Sequence, residues 1–410
     1  MSQREDVITI VKKSVQAVMP QKSVREAISE LELQSDRLYL VAAGKAAYTM
    51  AKAAETVLGQ KIRDGVVITK YGHAKTPLQR CRIFEAGHPS PDQNSYEATQ
   101  KAIDLVYGLT DQDEVLFLLS GGASSLFEVP IIPEKELEQI TEKLLGSGAD
   151  IHEINLVRKH LSQVKGGRFA LACFPAKVHV IVLSDVIGND LSTIGSGPCY
   201  PDNSTGEEAF SVLEKYHINL NADIIETLML ETPKYLNNVD HRIIGDVSKL
   251  CTAAKDACEA LGYRTVILTD SLNCEARDAG AFLSSIARYY QGSKRSLAFI
   301  AGGETVVKIK GTGLGGRNQE LVLSAAEGIS GLKDTMVLSF GSDGTDGPTD
   351  AAGAYADGET AEKLQEQSIS IYDTLENNDS YHALQAVKSL IVTGPTGTNV
   401  NDVAIILIKR

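Results

Sequence analysis

The chain has 410 residues, too many for one core of ordinary size, so two domains are expected. Hydrophobic residues make up 43% and charged residues 23%, the balance of a globular protein. The net charge of −13 argues against nucleic acid or an anionic membrane as a general partner, since both need a basic surface, yet leaves room for a small anionic substrate where Lys and Arg gather locally. The start, MSQREDVITIVKK, sets charge on both sides of a very short apolar run, which is not a cleavable signal. No apolar run approaches the length of about 18 residues needed to span a bilayer, so a cytoplasmic protein is expected. Six cysteines without a C-x-x-C pair read as reduced thiols, and eight histidines without ligand spacing give no support to a transition metal.

In chain order, the first thirty or so residues read as an amphipathic helix carrying Val7, Ile10, Val11, Val15 and Val18, closed by Pro20. Leu38 to Ala43 is a buried strand, followed by Gly44-Lys45 and an Ala-rich helix. A cation at a helix start is electrostatically misplaced by roughly 0.3–1 kcal/mol, which marks Lys45 as a candidate anion-binding residue. Strands follow at Gly65 to Thr69, Ile83 to Ala86 and Val115 to Leu119, the middle one ending in GHPSPD. The third runs into SGGASS, where Ser120, Gly121, Gly122, Ser124 and Ser125 supply N–H groups and hydroxyls for a carboxylate or phosphate.

Ile151 to Gly167 reads as one helix bearing Arg158, Lys159, His160 and Lys165, the densest basic cluster of the chain; such a cluster is also what a solvated face looks like. The strand Val178 to Leu183 runs into SDVIGNDLSTIGSGP, a loop of acids and glycines with Asp185, Asn189, Asp190 and Ser196. A polar stretch near Asp240 separates two alternating series, giving expected domains at 1–239 and 240–410, each layered α/β with mainly parallel sheets.

In the second series, Gly311, Gly313 and Gly316 formally satisfy the dinucleotide fingerprint G-x-G-x-x-G, but the preceding TVVKIK is not continuously apolar and reads as a half-exposed hairpin arm. We read these glycines, with Gly315, as a flexible loop over phosphate that ends by placing Arg317 at a helix start, where its planar fork suits an anion unless a neighbouring acid pairs it; Asn318 follows. The strand around Met336 to Phe340 breaks into GSDGTDGPTD, whose Asp343, Asp346 and Asp350 are oxygen ligands of the kind Mg²⁺ takes. GPTGTNVND then offers Thr396, Thr398 and Asn399 before a last strand.

With AAGKAA, GHPSPD, LSGGASSL, NLVRKHLSQVKGGR, LSDVIGNDLSTIGSGP, GGETVVKIKGTGLGGRNQE, SFGSDGTDGPTDAAGA and TGPTGTNVND in that order, the chain resembles the type II glycerate kinases, whose C-terminal portion is called MOFRL. The resemblance covers essentially the whole length. It implies an N-terminal Rossmann-like α/β/α sandwich, a smaller C-terminal α/β domain and an active-site cleft between them. It also implies phosphorylation of D-glycerate by ATP and Mg²⁺, generally to 2-phosphoglycerate, with Lys45 and Arg317 as the basic residues on which the family's site depends. By loop position, Asp185 joins these two as catalytic. Ser120, Gly121, Gly122, Ser124 and Arg158 are expected to bind substrate. Gly313, Gly315, Gly316, Asn318, Thr396, Thr398 and Asn399 are expected to bind nucleotide, and Asp190, Asp343 and Asp346 to bind metal. Cys274 departs from the glycine common in the family. Two rival classes are an NAD(P)-dependent hydroxypyruvate reductase and a non-catalytic sensor of a small carboxylate; the number of subunits stays open, a homo-oligomer included.

Overall fold

A computed structural model describes residues 3–410. The chain forms two compact units, one of residues 20–244, the other of residues 245–410 with the N-terminal segment through Met19.

The apolar runs of the first unit form β1 (Leu38–Ala43), β2 (Ile62–Lys70), β3 (Cys81–Ala86), β4 (Glu114–Ser120), β5 (Lys177–Leu183) and β6 (Val239–Gly245). Their order in the sheet is β3-β2-β1-β4-β5-β6, and the pairs β1/β2, β2/β3, β1/β4 and β4/β5 are parallel. Parallel strands are covered on both faces, so they read as unbroken apolar runs, and every residue of β4 is buried. Phe117 of β4 packs against Phe127 and Phe169 with ring centroids 5.3 and 5.1 Å away, anchoring the segments that follow β4 and precede β5. The order runs outward in both directions from β1 and β4. This is the doubly wound arrangement, whose switch point lies between those two strands.

The second unit holds β7 (Arg264–Leu272), β8 (Leu297–Gly303), β9 (Thr335–Gly341), β10 (Gly353–Asp357), β11 (Leu390–Ile391) and β12 (Asp402–Ile408), ordered β11-β10-β9-β12-β8-β7. Here the parallel expectation fails. Only β7/β8 is parallel, while β8/β12, β12/β9, β9/β10 and β10/β11 are antiparallel, because the last strand inserts between β8 and β9. That insertion sets Asp402, the first residue of β12, opposite both Gly303 and Gly341, the last residues of β8 and β9. Helices Ala276–Tyr289 and Arg317–Gly328 pack closely at Gly280, where a Cβ would fall 2.2 Å from the Leu321 carbonyl oxygen.

Several local expectations change. Pro20 opens a second helix, Pro20–Ser29, instead of only closing the first, Gln3–Ala17, since proline's missing N–H is harmless in a first turn. The helix expected through Gly167 stops at His160; residues beyond it peel toward Val129 and Pro130, with Gln163 N–H donating to the Val129 carbonyl. TVVKIK is no hairpin arm and holds one isolated bridge, Val306 to Glu275. The boundary expected near Asp240 falls inside β6, which extends the first sheet. Among the described residues no helix is long and apolar enough to cross a membrane.

Helix Gln3–Ala17 packs on helix Val247–Glu259. Asp6, 1% exposed, accepts from the Tyr263 hydroxyl (2.7 Å) and the Lys409 ammonium (2.6 Å). Replacing it by Ala leaves that hydroxyl without its acceptor, and Asp6→Ala is expected to lower the unfolding free energy of this unit by about 1–3 kcal/mol, read as a reduced midpoint in urea.

Candidate functional site

At the switch point of the first sheet, the turns after β1 and β4 are bonded to each other. The Lys45 N–H donates to the Gly121 carbonyl (2.8 Å), and the Ala46 N–H donates to Ser120 Oγ (3.1 Å). The approach requires Gly44, whose φ is +123° and whose Cβ, if present, would lie 2.3 Å from Ser120 Oγ. Gly122, at φ +84°, opens helix Ala123–Leu126 with its α-carbon against the His88 ring and the Lys45 stem. His73 Nδ1 lies 2.9 Å from the Lys45 carbonyl, and Thr69 Oγ1 donates to the Gly44 carbonyl (3.1 Å). Lys45, Ser120, Gly121 and Gly122 are thus brought together, with His88 of GHPSPD as a neighbour that the sequence reading did not single out.

The basic cluster after β4 is not a solvated face. Arg158 donates through Nη2 to the Ser124 carbonyl (2.8 Å) and to Glu128 (3.1 Å). Lys165, wholly buried, donates to the Ser124 and Phe127 carbonyls (2.8 and 3.0 Å) and lies 3.3 Å from Glu128. Glu128, equally buried, also accepts from Ser162 Oγ at 2.5 Å, and these two bonds draw residues 161–167 out of the helix. Ser124 Oγ lies 3.4 Å from Ser196 Oγ, which donates to Asn155 Oδ1 (3.2 Å), so the loop after β5 is tied to the one after β4. Glu128 carried no sequence signal beyond being an acid near an apolar run.

Asp185 stands just past the end of β5. Asp190 lies further along the same loop, where its oxygens accept from Ser192 N–H, Ser192 Oγ and Thr193 Oγ1, all at 2.9 Å. Against the upward push of burial, those bonds and Lys159 hold its carboxyl below the usual range. The geometry makes Asp190 a turn-builder, a local explanation for an acid expected to bind metal.

In the second unit the insertion of β12 gathers a polar cluster. Arg317, first residue of its helix, grips Asp402 with Nε (2.5 Å) and Nη2 (3.2 Å), and its Nη1 lies 2.6 Å from Glu304. Burial works against the guanidinium charge, but Asp402 and Glu304 outweigh it and raise the pKa. Asn401 Nδ2 donates to Glu304 (3.1 Å). The paired alternative for Arg317 therefore holds, with Asp402 and Glu304 as partners that spacing could not reveal.

Asp346 is buried and accepts four N–H bonds of 2.9–3.2 Å from the backbone and side-chain amides of Asn318 and Gln319. It caps the N-terminus of the Arg317 helix, where the dipole favours an anion. Burial still pushes its carboxyl up to about 6, against those bonds. With its oxygens so engaged, Asp346 is a cap where a metal ligand was expected. Asn318 is equally committed, since it also accepts from Ser339 Oγ (2.6 Å). At Asp343, Oδ1 accepts from the Thr345 N–H (3.0 Å) and from Thr345 Oγ1 (3.1 Å). Among the described residues no three His, Cys, Asp or Glu side chains converge as a metal-binding group.

The glycine loop is not free over a phosphate. N–H groups of Lys310 and Gly311 donate to Asn378 Oδ1, those of Thr312 and Gly313 to Asn377, and that of Leu314 to Asp379. A Cβ at Gly313, Gly315 or Gly316 would strike Asp379, Ser380 or Asp346 at 2.3–2.4 Å, so glycine is needed for packing. Thr398 is buried and donates to the Val18 carbonyl (2.8 Å), Thr396 Oγ1 to the Ser342 carbonyl (2.7 Å), and the Thr396 N–H to the Asp343 carbonyl (3.1 Å). Asn399 is buried beside them. These contacts give most of the expected nucleotide residues a structural role.

Comparison with known proteins fits this architecture. Residues 6–229 match the family described as a domain of unknown function, DUF4147, and residues 297–402 match the MOFRL family. The chain is 53% identical to a D-glycerate 2-kinase of Thermotoga maritima, over 98% of this chain and 97% of that one. A protein of Agrobacterium vitis named putative hydroxypyruvate reductase is 39% identical, over 91% of this chain and 99% of the other. The crystal structure of a glycerate kinase from Thermotoga maritima, 53% identical, superposes with a TM-score of 0.92 over 99% of each chain. The chain belongs to the type II glycerate kinase family, in which a DUF4147 region is followed by a MOFRL domain.

Proposed function

We propose that the protein is a glycerate 2-kinase, transferring the γ-phosphoryl group of ATP to the C2 hydroxyl of D-glycerate to give 2-phosphoglycerate and ADP. The new O–P bond replaces the anhydride bond to the β-phosphate, and the hydroxyl proton is released. Such a reaction asks mainly for positioning and for cations on the developing charge. The observation that carries this reading is the joining of the Lys45 turn to Ser120-Gly121 at the switch point of a doubly wound sheet, in a chain 53% identical to a D-glycerate 2-kinase. Lys45 and the SGGASS turn are the proposed acceptor-binding groups, with Ser124 and Arg158 toward the carboxylate. Arg317 is proposed to stabilise the transferring phosphoryl group, its side chain 35% exposed and held in place by Asp402 and Glu304.

Mg²⁺ ordinarily takes one or two carboxylates together with substrate phosphates. Asp185 or Asp343, each just past a strand end, is the proposed carboxylate, whereas the oxygens of Asp346 cap a helix and those of Asp190 build a turn. When bound, the ion would neutralise phosphate charge. The reductase reading rests on a relative's name and on the glycine fingerprint, but no strand runs directly into Gly311, since β8 ends at Gly303, and the loop N–H groups donate to residues 377–379.

Incubation with ATP, Mg²⁺ and D-glycerate is expected to give a phosphoglycerate signal by ³¹P NMR whose coupling identifies the C2 ester; intact ATP with folded protein, or NADH oxidation on adding hydroxypyruvate, would sink the kinase reading. Arg317→Ala is expected to cost about 10³-fold or more in kcat. A loss below tenfold removes Arg317 from that role.

A further inference from the structure

Lysine is almost never fully buried without a reason, yet Lys165 is 0% exposed. Its ammonium has three partners, the Ser124 and Phe127 carbonyls and Glu128. Glu128 is shared with Arg158 and receives Ser162. The cluster therefore holds two cations and one carboxylate. Next to it Lys159 pairs with Asp202 at 3.2 Å and also faces Asp190, while Arg168 faces Asp202, so these two cations and two acids offset one another and do not remove the surplus. A buried, uncompensated charge is costly, and it is tolerated where a counter-charge arrives or a proton leaves. Both cations grip the same atom, the Ser124 carbonyl oxygen, and the Ser124 hydroxyl faces that of Ser196 at 3.4 Å. Of the three ionic side chains only Arg158 reaches solvent, at 13% exposure.

We propose that Lys165 and Glu128 are positioning residues for the acceptor: they fix Ser124 and Arg158, and they leave that corner one positive charge in excess, which the carboxylate of glycerate neutralises. This rests on the glycerate kinase reading and extends it from the loop that touches the acceptor to the buried ions behind it. A tie that only held the fold together could be made of neutral groups; the surplus charge is what points to an anionic ligand. Burial, with a smaller push from Arg158, lowers the Lys165 ammonium to about 8, while Glu128 opposes the shift. Deprotonation would cancel the surplus, so acceptor binding should weaken as pH rises through that value.

The test measures KM for D-glycerate, KM for ATP and kcat in the full chain and in Lys165→Met, with a pH profile from 7 to about 9.5. In Lys165→Met the KM for glycerate is expected to rise about tenfold or more, the loss of one charged hydrogen-bonding group, while the KM for ATP stays within about twofold. In the unaltered protein kcat/KM for glycerate is expected to fall above pH 8, a fall absent from the variant. Equal changes in both KM values, or a lower melting temperature with both KM values unchanged, would overturn the inference. If Lys165→Met fails to fold, the profile of the unaltered protein decides, and a flat kcat/KM for glycerate over that range counts against it. No phosphoglycerate from the unaltered protein would instead strike at the kinase reading, and this inference would fall with it.

Discussion

The first unit depends on two backbone turns that must touch. β1 and β4 are adjacent and parallel, so the chain leaving each reaches the same edge of the sheet, and the sheet order reverses between them. The Lys45 N–H to Gly121 carbonyl bond closes that gap. It forms only because Gly44 allows the turn to lie against Ser120 without a side chain between them. The cation at the start of the Ala-rich helix and the Ser-Gly-Gly turn are therefore held side by side, from residues about 75 positions apart in sequence.

The second unit meets the same need by a different route. Its last strand inserts antiparallel between β8 and β9, so the start of β12 lies beside the ends of both neighbours. Glu304, Asp402 and the loop around Asp343 converge for that reason. Two acids divide the work at the Arg317 helix. Asp346 caps its N-terminal N–H groups and Asp402 orients the guanidinium, so the arginine is held in a fixed direction by a bidentate pair. Held that way, a guanidinium loses less freedom on meeting an anion.

Behind the turn that follows β4 the core holds charge where it could hold hydrocarbon. Phe117, Phe127 and Phe169 pack beside the Glu128, Lys165 and Arg158 cluster, and Lys165 donates to the carbonyl of Phe127 itself. Replacing buried ions by apolar residues is often neutral or stabilising, so their presence here is better explained by what they orient than by what they stabilise.

Sequence by itself determined the elements. Continuous apolar runs mark β1, β4, β5 and β12 to within a residue or two, because strands buried on both faces cannot alternate. The family's motifs, long and in register, carried the activity. What tertiary structure decided was partnership. Spacing could show that Arg317 begins a helix and that Asp346 follows a strand, but not that one binds Asp402 and the other caps that helix, since those pairs lie 85 and about 28 residues apart. The glycines after Lys310 looked like a mobile phosphate loop, yet they are small because residues 377–380 and, at Gly316, Asp346 press against them. Lys159 and Lys165 looked like a solvated face, and both are buried or nearly so with acids as partners. Local sequence fixes backbone preference and burial pattern, whereas the partner of a long polar side chain depends on which strand ends the topology brings together, and a single inserted strand settles that.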